Sequence, residues 1–102
     1  MDSAALAQAL FAALEQGDEE TVYRLCTSDM RVTQNQGPAM TIAALLRYTH
    51  TVIGAIPDFH YEQAQRSATD TGFVEEHVVC GTLPDGTALR LPVCVVADVV
   101  NG

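Results

Sequence analysis

The chain is expected to fold as one α+β domain in which helices cover one face of a curved antiparallel sheet. Three observations lead there. Apolar residues recur with helical period in the segments before Pro57, they alternate in strand fashion from Phe59 onward, and the turn signals Thr69-Asp70-Thr71-Gly72 and Pro84-Asp85-Gly86 divide that stretch into consecutive strands. Helices segregated from a run of consecutive hairpins pack as two layers around one core. A length of 102 residues, 48% of them hydrophobic, supports one such core and not two, so residues 1–102 are read as a single domain.

Ser3 to Gln16 sets Leu6, Leu10, Ala13 and Leu14 at helical spacing, and Gly17 supplies a natural stop. Asp18 then caps a second, short helix. Its first turn carries Glu19 and Glu20, favourable against the helix dipole, and Val22, Leu25 and Cys26 form its apolar side. Met30 to Asn35 is read as a short strand running into Gln36-Gly37-Pro38. Thr41 caps the longest helix, whose Ile42, Leu45, Leu46, Thr49, Val52, Ile53 and Ile56 keep the period until Pro57 forbids continuation. Three strands follow, Phe59 to Ala68, Phe73 to Leu83 and Ala88 to Val100, joined by Thr69-Asp70-Thr71-Gly72 and Pro84-Asp85-Gly86. Asn101-Gly102 is the favoured hairpin dipeptide, with no strand after it. The apolar edge it leaves is expected either to pair with a partner chain or to be covered by a C-terminal strand missing here.

Composition narrows the function classes. Thirteen acidic against five basic residues give a formal charge of -8, which disfavours nucleic acid and anionic membrane surfaces as partners. No apolar run reaches the roughly 20 residues of a membrane span, and Met1-Asp2-Ser3 lacks the basic flank of a secretory signal, so a cytoplasmic location is expected. Cys26, Cys80 and Cys94 are odd in number and widely spaced, as reduced thiols are. No Cys-x-x-Cys or His-x-x-x-His spacing suggests a metal, and no Gly-rich loop suggests a phosphate-bearing cofactor, so neither is expected.

Four stretches carry a family resemblance: Ala12-Ala13-Leu14-Glu15-Gln16-Gly17-Asp18, Ser28 to Asn35, Ile56-Pro57-Asp58-Phe59, and Gly81-Thr82-Leu83-Pro84-Asp85-Gly86 with the strand leading to Asn101-Gly102. In order and spacing the chain resembles the nuclear-transport-factor-2-like superfamily, the cone-shaped, cystatin-like fold of ketosteroid isomerase, limonene-1,2-epoxide hydrolase and the SnoaL-like polyketide cyclases. The resemblance implies a cone-shaped curved sheet under three helices and an apolar pocket for a small hydrophobic molecule. It also implies that the last strand of the cone is absent. Asn35 resembles the hydrolase's water-positioning Asn, and Thr33 stands where that enzyme has a Tyr. Leu10 replaces the isomerase's oxyanion-stabilising Tyr, and Glu76 and Val78 replace the hydrolase's Arg and Asp. Neither of those two reactions can be assembled as such.

The inner face of the cone follows from the last strand, where Leu91, Val93, Val95, Ala97 and Val99 form a wholly apolar side. A four-residue turn around Pro84-Asp85-Gly86 sets Val74, Glu76, Val78 and Cys80 on that side. A three-residue turn instead sets Phe73, Glu75, His77 and Val79 there. The apolar count and the family comparison favour the first register, with Glu76 inward and His77 outward. A carboxylate enclosed by apolar walls holds its proton more readily, so Glu76 is the expected proton-transfer group and Asn35 the residue orienting water or a ligand oxygen. The alternatives are that Glu76 sits at a solvated rim, paired with Arg66, and that Asn35 is a turn former.

Expected ligand-binding residues are Thr33, Tyr48, Tyr61, Val78, Leu91, Val93 and Val95. Of these Tyr48 is alternatively a helix-boundary residue and Tyr61 a core partner of Phe59. His60, Glu62 and Arg66 are read as solvated residues of the opposite face. Two functions remain open: a cofactor-free acid/base isomerase, cyclase or hydrolase, and a non-catalytic binding or homodimerisation module whose mixed outer face (Val79, Cys94 and Val96 beside Glu75, His77 and Arg90) pairs with a second copy.

Overall fold

The computed structural model describes residues 2–33 and 37–100. Three helices, α1 (Ser3–Gln16), α2 (Glu19–Leu25) and α3 (Ile42–Ala55), precede three strands, β1 (His60–Ala68), β2 (Gly72–Thr82) and β3 (Ala88–Asp98). α2 and α3 start on the side chains expected to cap them, Asp18 accepting from the Thr21 N–H at 3.2 Å and Thr41 from Ala44 at 3.2 Å, and α1 starts on Asp2, which accepts from the Ala5 N–H at 2.7 Å. Gly17 closes α1 in the left-handed conformation (φ 71°), which a side chain would resist. That turn lets Asp18 begin α2 at once.

The expected strand at Met30 to Asn35 is a single bridge among the described residues, Val32 with Met40, closed by N–H···O bonds of 2.9 and 2.7 Å. Among the described residues the pairing goes no further. In one direction the loop reaches Pro38, which has no N–H to give, and in the other α3 begins at once after Thr41.

The strands form an antiparallel sheet in the order β1-β2-β3. Phe73, Glu75, His77 and Val79 of β2 lie opposite Ala97, Val95, Val93 and Leu91 of β3, so these residues share the inner face. The register is set by the turn. Leu83 and Thr87 bond at 2.9 Å, the Gly86 N–H returns to the Leu83 carbonyl at 2.8 Å, and Gly86 has φ 88°. This is a three-residue loop, with Pro84 and Asp85 in the turn and glycine at the left-handed position. The expectation of Glu76 and Val78 inward is thereby corrected: both point to the outer face, opposite Cys94 and Pro92, and Glu76 is exposed.

A second device acts on β1. The pairing runs Tyr61 with Val79 and Glu62 with Val78, then shifts, resuming as Gln65 with Glu76 and Arg66 with Glu75. Gln63 takes φ 55° in this bulge. An extra residue reverses which face the later side chains take. Tyr61 and Arg66 therefore both face inward, and the reading of Arg66 as an outer-face residue is corrected.

The core lies between α1 and the sheet, where Ala7, Phe11 and Leu14 meet Phe73, and extends to Val22, Ile42 and Leu46. Phe11 is the central wedge, edge-on to Phe73, Tyr61 and His77 with ring centroids 6.1, 6.0 and 5.0 Å away. Asp58 ties the entry of β1 to the end of β2, accepting from the Thr82 N–H at 2.8 Å and its hydroxyl at 2.7 Å. Those bonds hold the Asp58 carboxyl below its ordinary value. A depressed carboxyl stabilises the fold above its unfolded pKa, and the contribution is lost as pH falls through the folded value. Urea midpoints are accordingly expected to fall below pH 4, and less steeply in Asp58→Asn than in the parent.

Candidate functional site

β2 carries two ionisable side chains on its inner face at alternate positions, and both are buried: Glu75 is 0% and His77 4% exposed. A lone buried carboxylate is costly, and this one is doubly partnered. Arg66 Nε donates to Glu75 Oε1 at 2.5 Å, and His77 Nδ1 lies 2.7 Å from Glu75 Oε2. A carboxylate held against the guanidinium accepts, so the His77 Nδ1–H is the donor to Glu75. Among the described residues no group bonds Nε2. The result is a charged chain, Arg66 to Glu75 to His77, that fixes one tautomer and one ring plane at the end farthest from Arg66.

Aromatic rings hold that plane. Tyr61 stacks on His77 with centroids 4.2 Å apart and 23° between planes, and Phe11 meets the imidazole edge-on. The Tyr61 N–H is anchored to Glu15 Oε2 of α1 at 2.6 Å. Burial, reinforced by the negative charges of Glu15 and Glu75, pushes the Tyr61 phenol far above its ordinary value, so it remains a protonated donor.

The β3 half of the inner face is less covered. Leu91 is 50% exposed, and Val93, Val95 and Val79 are half-buried, giving an apolar strip beside His77. The floor of the cone is filled by Phe11, Tyr61, Phe73 and His77. Two shallow clefts of ≈290 and ≈410 Å³ open elsewhere, between α2 and α3, and none of the charged chain lines them.

A family model described as a SnoaL-like domain matches residues 7–102. The chain belongs to the SnoaL-like domain family. Among solved structures it is similar to a proposed polyketide cyclase from Xanthomonas campestris pv. campestris, 24% identical with a TM-score of 0.84, covering 98% of this chain and 82% of the other. A proposed polyketide cyclase from Pseudomonas putida KT2440 is 18% identical with a TM-score of 0.83, the coverages being 100% and 85%. An uncharacterised cystatin-fold protein from Novosphingobium aromaticivorans is 23% identical with a TM-score of 0.74 over 95% of this chain and 86% of that one. No curated protein matches the sequence. At these identities the structures establish the cone-shaped α+β fold of the SnoaL-like domain, as expected from the resemblance, and leave its chemistry to its own residues.

Set against the expected site, this SnoaL-like domain gathers Tyr61, Val93 and Val95 around the inner face, with Leu91 at its edge. Glu76 and Val78 are outside it. Thr33 and Tyr48 are both exposed, Tyr48 at 50%, and neither joins the charged chain. Asn35 lies outside the described residues. His50 instead approaches Glu19 at 3.6 Å, across from α3 to α2. Sequence reasoning missed Glu75, His77 and Arg66 as a unit, and the Pro84-Asp85-Gly86 loop was the signal that could have found the first two. Among the described residues no helix is long and apolar enough to cross a membrane.

Proposed function

We propose that this SnoaL-like domain is a cofactor-free acid/base catalyst acting on a small, largely apolar carbonyl compound or epoxide, with His77 as its proton-transfer group. The observation that carries the reading is the buried Arg66–Glu75–His77 chain. A carboxylate behind Nδ1 orients the imidazole and stabilises its cationic form once Nε2 has taken a proton, from a carbon beside a carbonyl or from an attacking water. Glu75 and Arg66 are positioning residues in this scheme. Tyr61, protonated and stacked on the ring, supplies a hydroxyl donor to an oxygen of the ligand, and the Val79, Leu91, Val93 and Val95 strip supplies the apolar surface for its body. The test is turnover or solvent-deuterium exchange across a panel of cyclic ketones and epoxides, compared between the parent and His77→Gln. Undiminished turnover in the variant would refute the assignment.

A second reading concerns assembly and rests on the outer face. Val96 is 75% exposed there, with Cys94 and Pro92 beside it and Val74 and Val78 half-covered on β2. We infer that this face pairs with a second copy of the chain, the mixed apolar and charged surface suiting a homodimer. Val96→Glu is expected to convert a dimer to a monomer in sedimentation equilibrium. A parent that is already monomeric at all concentrations would rule the pairing out.

A further inference from the structure

We propose that His60, Glu62 and Cys80 form a site for a divalent cation of the zinc type, on the outer face of the sheet and separate from the buried chain. His60 lies directly opposite Cys80 in the β1–β2 ladder, and Glu62 follows two residues along β1 on the same side. One donor atom from each lies within 4.8 Å of the others. Tetrahedral zinc, with bonds of about 2.0–2.3 Å to nitrogen, oxygen and sulfur, wants its donors roughly 3.3–3.8 Å apart, so small side-chain rotations bring the three into range.

The hydrogen bonding around His60 aims Nε2 and a carboxylate oxygen of Glu62 at one point, where a cation can sit between them. Its Nδ1 lies 2.7 Å from the Asp58 carbonyl oxygen, which can only accept, so Nδ1 carries the proton and donates. Nε2 then faces Glu62 Oε2 at 2.7 Å. A ring lone pair and a carboxylate oxygen repel at that separation unless a positive centre joins them: a second proton on the ring, or a metal ion. A carbonyl behind the far ring nitrogen is also how metal-binding histidines are oriented. Cys80 is 3% exposed, whereas the His60 and Glu62 side chains are each 43% exposed and leave room for a water as fourth ligand.

Imidazole, carboxylate and thiolate together suit zinc or cobalt and not calcium or magnesium. Binding forms the sulfur–metal, nitrogen–metal and oxygen–metal bonds, and the Cys80 S–H proton, with any proton held between His60 and Glu62, leaves to solvent; no electrons are transferred. Arg90 occupies the vicinity, with Nη1 3.3 Å from Glu62 Oε1 and 3.6 Å from Cys80 Sγ. It is the competing cation. No local spacing signals this site, because its ligands meet across a hairpin.

The experiment is titration of the reduced, metal-free chain with Zn2+ by calorimetry and with Co2+ by absorption. One ion per chain is expected, with a thiolate-to-cobalt charge-transfer band. His60→Ala should weaken binding by at least ~10-fold, Cys80→Ser should abolish the band, and Arg90→Gln should tighten binding several-fold by removing the competitor. His60→Ala alters a part-exposed side chain, so it reads out the site even where Cys80→Ser does not fold. Absent binding in the parent would overturn the site, as would a band and affinity unchanged in His60→Ala and Cys80→Ser, which would place the metal on Cys26 or Cys94.

Discussion

Arg66→Met is expected to lower unfolding stability by about 2–3 kcal/mol in urea titrations at 25 °C. The Glu75 carboxylate is shut off from water and depends on Arg66 for its charge balance. Methionine keeps much of the arginine's length and apolar stem, so the cost is chiefly electrostatic. Removing one member of a fully buried pair commonly costs about 3–5 kcal/mol, and the figure here is smaller because the Arg66 side chain retains 25% exposure and some solvation. The double variant Arg66→Met/Glu75→Gln should recover most of the loss, since a neutral amide needs no counter-charge and its oxygen can still accept from His77 Nδ1. A double variant as unstable as the sum of the singles would mean the two residues are not coupled.

His77→Gln should reduce turnover on a responsive ketone or epoxide by about 10²–10⁴, the range that a positioned general base contributes, while ligand affinity changes little. Glutamine can occupy much of the imidazole's place between Phe11 and Tyr61 and still donate an N–H to Glu75, but it cannot take a proton. Glu75→Gln should give a smaller loss and shift the pH profile of kcat, because it disturbs the tautomer and the charge behind the ring without removing the base. Equal losses in kcat and kcat/KM for His77→Gln would place its action in the transition state, and a change confined to KM would make it a mere wall of the site.

The helices were legible because their signals are local. Asp18 and Thr41 as caps, Gly17 as a stop and Pro57 as a breaker each act within a turn of their own position. The inner face of β3 was legible for the same reason, since Leu91, Val93 and Val95 alternate within one strand. The site was harder, as it depends on parity between strands. The register of β2 against β3 turned on whether the loop at Pro84-Asp85-Gly86 held three residues or four. Counting apolar side chains favoured the row containing Glu76 and penalised Glu75 and His77 as two polar groups. That count treated each side chain alone, whereas Glu75 and His77 satisfy one another and Arg66 completes them. The turn chemistry was the better guide: proline, aspartate, then glycine at the left-handed position marks the three-residue form.

Arg66 was not legible at all. Its inward position depends on the bulge between Glu62 and Gln65, where Gln63 adopts φ 55° without being glycine, asparagine or aspartate. Nothing in Gln63-Ala64 announces an extra residue. The bulge is understandable only afterwards, from the buried carboxylate opposite that the displaced arginine neutralises. Of the strand expected at Met30 to Asn35, the described residues show the single Val32–Met40 bridge: β-branched residues suit a ladder, but Pro38 has no N–H to give and α3 begins directly after Thr41.

The central claim is that the odd-numbered residues of β2, Glu75 and His77, form the interior of the cone while Glu76 faces outward. Paired urea unfolding of Glu75→Gln and Glu76→Gln tests it most directly. Glu75→Gln turns an amide N–H toward one of two buried donors and should cost about 1–3 kcal/mol, whereas Glu76→Gln, on the exposed face, should stay within about 0.5 kcal/mol of the parent. The reverse order, with Glu76→Gln the damaging change, would contradict the register and everything built on His77.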